Sequence, residues 1–255
     1  MTLENTLTLF LGFVALSFTS SIVYILNDIK DIDADRLHPE KKNRPLAAGL
    51  ISMKEIAIVA ALLTLGVCVI VLFMGSLEFA YLIAAMLAIN VIYTNVGKKI
   101  PYIELFILGV LYMLRTASGF VLLGMEVPVT LLVAMFFLTI FFKAGQRLIE
   151  LKKYGADARA VLKRYSVPMI KRFLVVALMF AVIFYFLTTS FITGPIIYTD
   201  AIALFVLLYV HEIFNSETRI KQITDDLFKL VFSNQILLIL VAGTAIVVLI
   251  YSALK

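Results

Sequence analysis

Residues 24–35 read YILNDIKDIDAD, and their four aspartates follow directly on an apolar run. If the helix of that run continues past Asn27, each residue advances about 100°, so Asp28, Asp31 and Asp35 fall within roughly 60° of one another. Asn27 lies just beside them, whereas Asp33 projects to nearly the opposite side. Three carboxylates converging on one face repel one another, and a divalent cation relieves the repulsion most simply. Oxygen-only ligands favour Mg²⁺, which keeps some waters and binds phosphates as well. The plain alternative is a solvated acidic cap with Lys30 and Arg36 as local ion pairs. It is the weaker reading, because a helix C-terminus already carries partial negative charge and aspartates there call for a compensating cation.

Immediately downstream, HPEKKNRPLAAG supplies Lys41, Lys42 and Arg44. A diphosphate needs both kinds of group, cations bridging some oxygens and Arg or Lys taking the rest. Asp28, Asp31 and Asp35 are therefore read as metal ligands and catalytic groups, with Asn27, Lys41, Lys42 and Arg44 on the diphosphate.

These residues need a scaffold, and composition restricts it. The chain has 255 residues, 62% hydrophobic and 15% charged, with mean hydropathy +1.04. No water-soluble fold hides that much apolar surface, so the chain is an integral, multi-pass membrane protein. A span takes roughly 20 apolar residues. Eight stretches qualify, near 5–26, 53–74, 79–97, 101–124, 127–148, 169–191, 196–214 and 230–252. The fold expected is an all-α bundle of about eight transmembrane helices in one domain, 1–255. All six prolines lie between the stretches or in a first turn, so the helices should be largely unbroken. The first span lacks the basic flank of a signal peptide and is expected to remain in the mature protein. Cys68 is the single cysteine, which excludes an intramolecular disulfide.

Of the 22 lysines and arginines, all but Arg115 and Lys255 gather at one set of alternate span ends. The positive-inside rule places the 27–52, 98–100, 149–168 and 215–229 loops, and the candidate site, in the cytoplasm. The net charge of +5 is thus a sidedness signal, and no nucleic-acid partner is expected. The long loops 27–52 and 143–172 hint at a weak internal duplication.

The motif Asn27-Asp28-x-x-Asp31-x-x-x-Asp35, closing a membrane helix and followed by Arg44-Pro45, resembles the first aspartate-rich motif of the UbiA superfamily of intramembrane prenyltransferases. The resemblance implies a helical bundle with a central cavity and Mg²⁺-dependent chemistry on a diphosphate. Members usually have nine spans with this motif closing the second; here it closes the first, so either the usual first helix is absent or the start of the chain is truncated. Prenyl-transferring members carry a second Asp-x-x-x-Asp motif. In its place KAGQRLIELKKYGADARAVLKRYSVPMIKR is similar to the Gly-Lys-Arg-x-x-Glu-Leu…Arg-x-x-Leu-x-x-Tyr pattern of the branch that moves phosphoribose to a polyprenyl phosphate. Gly145, Arg147, Glu150, Leu151, Arg159, Leu162 and Tyr165 match, while Gln146 stands where that branch usually has lysine. YTNVGKKIPYIE and LRTASG resemble two more of its segments, with Glu104 in place of aspartate.

By that likeness Gln146, Arg147, Glu150, Arg159 and Tyr165 are expected to bind substrate, and nine basic residues from Lys143 to Arg172 suit a load of several phosphates. Lys163, Arg164, Lys171 and Arg172 read better as anchors for membrane lipid headgroups. Arg115, near the middle of its span, is expected to face the interior and meet a phosphate or a carboxylate, because a lone charge there costs at least about 2.5–3.5 kcal/mol. Tyr93, Asn95, Lys98, Lys99 and Glu104 are candidates to line a cavity. His211, Glu212, Asn234 and Gln235 read as ligands or interhelical hydrogen-bond partners, and Asp225 and Asp226 as a helix cap.

The leading expectation is a transferase moving phosphoribose from phosphoribosyl diphosphate to a polyprenyl phosphate with Mg²⁺. A prenyltransferase drawing an isoprenoid chain from its diphosphate onto a polar acceptor is the runner-up, and a non-catalytic lipid-binding protein the third reading. Lipid chain length and oligomeric state are not encoded in any recognisable pattern.

Overall fold

A computed structural model describes residues 2–37 and 41–189. Among these the regular structure is helical, with no strand. Six helices are long and apolar enough to cross a membrane, which are the six spans expected over this stretch. They are α1 (Leu3–Leu37), α2 (Met53–Met74), α3 (Leu77–Asn95), α4 (Ile103–Leu122), α5 (Val129–Tyr154) and α6 (Val167–Thr189). The spans expected at 196–214 and 230–252, with His211, Glu212, Asp225, Asp226, Asn234 and Gln235, lie outside the described residues.

Two helices run past their apolar segments. α1 continues for 35 residues through the whole aspartate motif. α5 continues to Tyr154, where Arg147 and Glu150 pair one turn apart at 2.9 Å and keep the polar end helical. Charged residues at i and i+3 extend a helix without adding hydropathy, so a span count alone stops short of them.

The described residues fall into two compact units, one from those up to 98 with 110–127 and one from 99–109 with 128–189. In the first, Ser52 opens α2 with a reciprocal capping box: Glu55 N–H donates to Ser52 Oγ at 3.2 Å and Ser52 N–H to Glu55 Oε2 at 2.8 Å. Gly75, at φ +64°, ends α2 in the left-handed region, and Ser76 caps α3 at once, so the two helices form a tight hairpin. The core of this unit is built from Ala15, Ile22, Val67, Phe79 and Ile83. Gly66 allows α1 and α2 to approach, since a Cβ there would lie 2.9 Å from the Phe18 ring. The outward side chains are left bare, with Leu72 80% and Phe73 76% exposed, as suits a helix solvated by lipid.

The second unit packs α5 against α6, with the opening turns of α4 contributing Leu105. Phe141, Leu148, Leu162, Ile170 and Leu174 complete its core. A Cβ on Gly109 would meet Phe136 Cδ2 at 2.6 Å, so only glycine fits between those two surfaces.

Candidate functional site

In the first unit, the extension of α1 carries the aspartates as the helical spacing predicts. Asp33 stands apart, 92% exposed and 3.6 Å from Arg36. On the opposite side, Arg44 Nη1 donates to Asp28 Oδ1 at 2.7 Å and to Asp35 Oδ2 at 2.8 Å. Lys98 Nζ, at the end of the α3 segment, donates to Asp31 Oδ1 at 2.5 Å. Asp35 is buried and Asp28 half-buried, so their charges need partners more than surface carboxylates do.

A compact turn presents Arg44. Its N–H donates to the Lys41 carbonyl at 2.9 Å and its carbonyl accepts from Ala48 N–H at 2.8 Å. Leu46 is buried beneath it, and Arg36 Nε reaches the Ala47 carbonyl at 3.4 Å, tying the turn to the end of α1. Lys41 is half-buried within this turn and Lys42 exposed.

Asn27 faces α3, where its Oδ1 accepts from Thr94 Oγ1 at 2.5 Å. Lys30 does not pair with a neighbouring aspartate; its ammonium donates to Asn95 Oδ1. Tyr93 is half-buried on α3 and Lys99 exposed after it. Among the described residues, no group of three His, Cys, Asp or Glu side chains is gathered tightly enough to hold one ion together. Asp28 and Asp35 do meet, on the single Arg44 nitrogen, while Asp31 is taken by Lys98.

The Arg115 side chain is exposed. Its Nη2 donates to Ser20 Oγ at 2.7 Å, and its guanidinium lies 5.5 Å from the Tyr112 ring centroid. A hydroxyl and an aromatic face are its partners among the described residues.

The second unit holds a separate cluster around Glu104, which is fully buried. Arg147 grips this carboxylate in a two-pronged pair, Nε to Oε1 at 2.7 Å and Nη2 to Oε2 at 3.0 Å, and extends Nη1 to Glu150 Oε2 at 2.9 Å. Tyr165 donates its hydroxyl to Glu104 Oε1 at 3.0 Å and accepts from the Tyr102 N–H at 3.0 Å. Tyr102 sits at φ +64°, a strained value for an aromatic residue. That hydrogen bond, with an edge-on ring contact of 4.9 Å between Tyr102 and Tyr165, helps hold it there. Burial, reinforced by the negative Glu104, pushes the Tyr165 hydroxyl above its ordinary range, so it remains a donor at neutral pH. Arg159 Nη1 lies 3.9 Å from Glu150 Oε2, and half-buried Gln146 accepts from Lys143 Nζ at 3.2 Å.

With these arrangements described, likeness to known proteins can be placed on residues. The family model described as UbiA prenyltransferase family matches residues 2–234. The chain belongs to that family. The decaprenyl-phosphate phosphoribosyltransferase of Corynebacterium glutamicum is 30% identical over 167 residues, 64% of this chain and 50% of that one. The chain thus spans about half the length of the curated relatives it matches. A UbiA homolog from Archaeoglobus fulgidus bound to GPP and Mg²⁺ superposes with TM-score 0.70 at 20% identity, over 84% of this chain and 76% of that one. The apo UbiA homolog from Aeropyrum pernix K1 gives 0.73 at 18% identity, over 98% and 91%. At such identities these two establish the shared fold: this is an integral membrane protein of the UbiA architecture.

Within this UbiA-family chain, sequence reasoning under-rated Glu104. It offered the residue as a possible cavity lining, yet Glu104 is the hub of the second cluster. The available signal was an acid opening an otherwise apolar helix, which has to be paired if it is buried. Thr94 and Lys143 carried no such signal, since a threonine near a helix end and one lysine among nine basic residues look ordinary.

Proposed function

We propose that the protein is a Mg²⁺-dependent transferase that moves phosphoribose from phosphoribosyl diphosphate to a polyprenyl phosphate, working on the cytoplasmic side of the membrane. The observation that carries the reading is Arg44 Nη1 lodged between Asp28 and Asp35. A positive charge already occupies the point where two carboxylates of α1 meet, just beyond the apolar part of the helix. Mg²⁺ typically needs only one or two carboxylates plus substrate phosphates, so this oxygen-only pair, with Asp31 alongside, fits it.

Mg²⁺, when bound there, offsets the charge of a departing diphosphate. Arg44 and Lys98 are the cations the chain itself brings to these carboxylates. The Arg44 contacts use Nη1 alone, leaving the Nε and Nη2 donors to take phosphate oxygens in a forked arrangement. An oxygen of the lipid phosphate forms the bond to the anomeric carbon, while the bond from that carbon to the diphosphate breaks and its electron pair leaves with the diphosphate. The lipid phosphate is already ionised, so the step needs no general base, and the rate comes from positioning and charge stabilisation. The choice of donor rests on the Corynebacterium likeness and on the 145–165 segment. There Arg147 and Tyr165 serve as the frame, and Gln146 and Arg159 as candidate phosphate contacts.

The test is incubation of purified protein and Mg²⁺ with radiolabelled phosphoribosyl diphosphate and polyprenyl phosphate, beside a parallel reaction with an allylic prenyl diphosphate and an aromatic acceptor. Labelled lipid in the first supports the proposal. Consumption of prenyl diphosphate with no labelled lipid would overturn it in favour of prenyl transfer.

A further inference from the structure

The first unit has a cavity of about 220 Å³ between α1 and α3. Its walls are Val23 and Leu26 from α1 and Leu87 and Val91 from α3, with Lys30 and Asn95 among the lining residues. The polar groups deeper in it are already satisfied. Asn90 donates to the Met86 carbonyl at 2.8 Å, and Thr94 lies 2.8 Å from the Asn90 carbonyl as well as bonding Asn27. What remains is an apolar trough with one ammonium at the end where α1 leaves its apolar segment. Asn95 Nδ2 donates to the Val91 carbonyl at 2.8 Å, so its Oδ1 is fixed in place and holds the Lys30 ammonium by one of three donors.

We propose that this cavity is a binding site for an anionic phospholipid, one acyl chain lying along Val23, Leu26, Leu87 and Val91 and the headgroup phosphate meeting Lys30. Charge complementarity selects the occupant. A free anion gains nothing from four aliphatic walls, whereas a lipid chain is the medium in which these helices stand. An amine at the headgroup level favours anionic over zwitterionic lipid by about fivefold. The lining positions Val23, Leu26 and Lys30 lie at least roughly 80° around α1 from those of Asp28, Asp31 and Asp35, so the cavity faces away from the aspartate cluster.

The chain contains no tryptophan, so Val91→Trp introduces a single fluorescent reporter in the cavity wall. Reconstituted in bilayers, this variant should be quenched by brominated phosphatidylglycerol at about one-fifth of the mole fraction required of brominated phosphatidylcholine. Adding Lys30→Gln should bring the two lipids to equality. Leu62→Trp, on a face of α2 that is 63% exposed, should show no headgroup preference at any point. Leu26→Trp repeats the measurement from the opposite wall, in case the new ring at position 91 fills the trough itself. Equal quenching by both lipids at positions 91 and 26, or a preference that survives Lys30→Gln, overturns the proposal.

Discussion

The Lys98 ammonium donates to Asp31 Oδ1 at 2.5 Å, joining residues 67 positions apart in the chain. Both side chains are partly exposed, 20% and 37%, so the pair contributes little to stability. Lys98→Gln should therefore shift the melting temperature by no more than about 2 °C. A charge-assisted hydrogen bond to a phosphate is a different matter, and kcat/KM in the transfer assay should drop about 10- to 100-fold. A large loss of thermal stability with unchanged turnover would make Lys98 a structural residue only.

The aspartates should separate into two classes under the same assay. Asn replacements of Asp28, Asp31 or Asp35 should each lower Mg²⁺-dependent turnover by at least about a hundredfold. Asp33→Asn should leave it unchanged, since that side chain faces away and is 92% exposed. Rates measured across a Mg²⁺ titration decide the matter, and equal sensitivity at all four positions would sink the assignment.

That division was legible in the sequence because it depends only on helical rotation and on α1 continuing past Asn27. The cations that settle on each carboxylate were legible in part: Arg44 follows closely in the chain, whereas Lys98 arrives through the packing of α3 on α1. The six described spans were readable from hydropathy and the extension of α1 from the spacing of its aspartates, but the polar extension of α5 was not, because an i to i+3 ion pair carries no apolar signal. An arginine in mid-helix such as Arg115 announces that it needs a partner without saying which, and among the described residues its partners are Ser20 and Tyr112.

The Glu104–Arg147 pair should behave as one unit. Glu104 is fully buried and the Arg147 side chain is 6% exposed, so Arg147→Met alone strands the Glu104 charge and should cost about 3–5 kcal/mol, and Glu104→Gln, which leaves Arg147 its Glu150 partner, should cost less. The double variant should cost clearly less than the sum. Unfolding in mixed micelles of mild detergent and dodecyl sulfate provides the cycle; strict additivity would mean the two charges are not coupled.

Tyr165→Phe removes a hydroxyl that both accepts and donates, leaving the Tyr102 N–H without this acceptor and Glu104 Oε1 with Arg147 Nε. The expected loss is about 1–3 kcal/mol. The pH dependence has a definite sign. The folded hydroxyl titrates above its unfolded value because of burial and the Glu104 charge. Its contribution is therefore complete below the unfolded value of about 10 and declines as pH rises through the folded one. The wild-type advantage over Tyr165→Phe should hold constant through neutral pH and narrow only in strongly alkaline solution; narrowing towards acid would contradict this account.

Helix α1 runs unbroken for 35 residues, roughly 52 Å, against a hydrocarbon layer of about 30 Å. One rigid rod thus sits in lipid at one end and carries Asp28, Asp31 and Asp35 at the other. Hydrophobic mismatch is relieved by tilting or by vertical displacement, and a rod without a hinge passes either one straight to its tip. Because α1 is packed on α2 and α3, the tilt those neighbours impose fixes the height at which the carboxylates meet water.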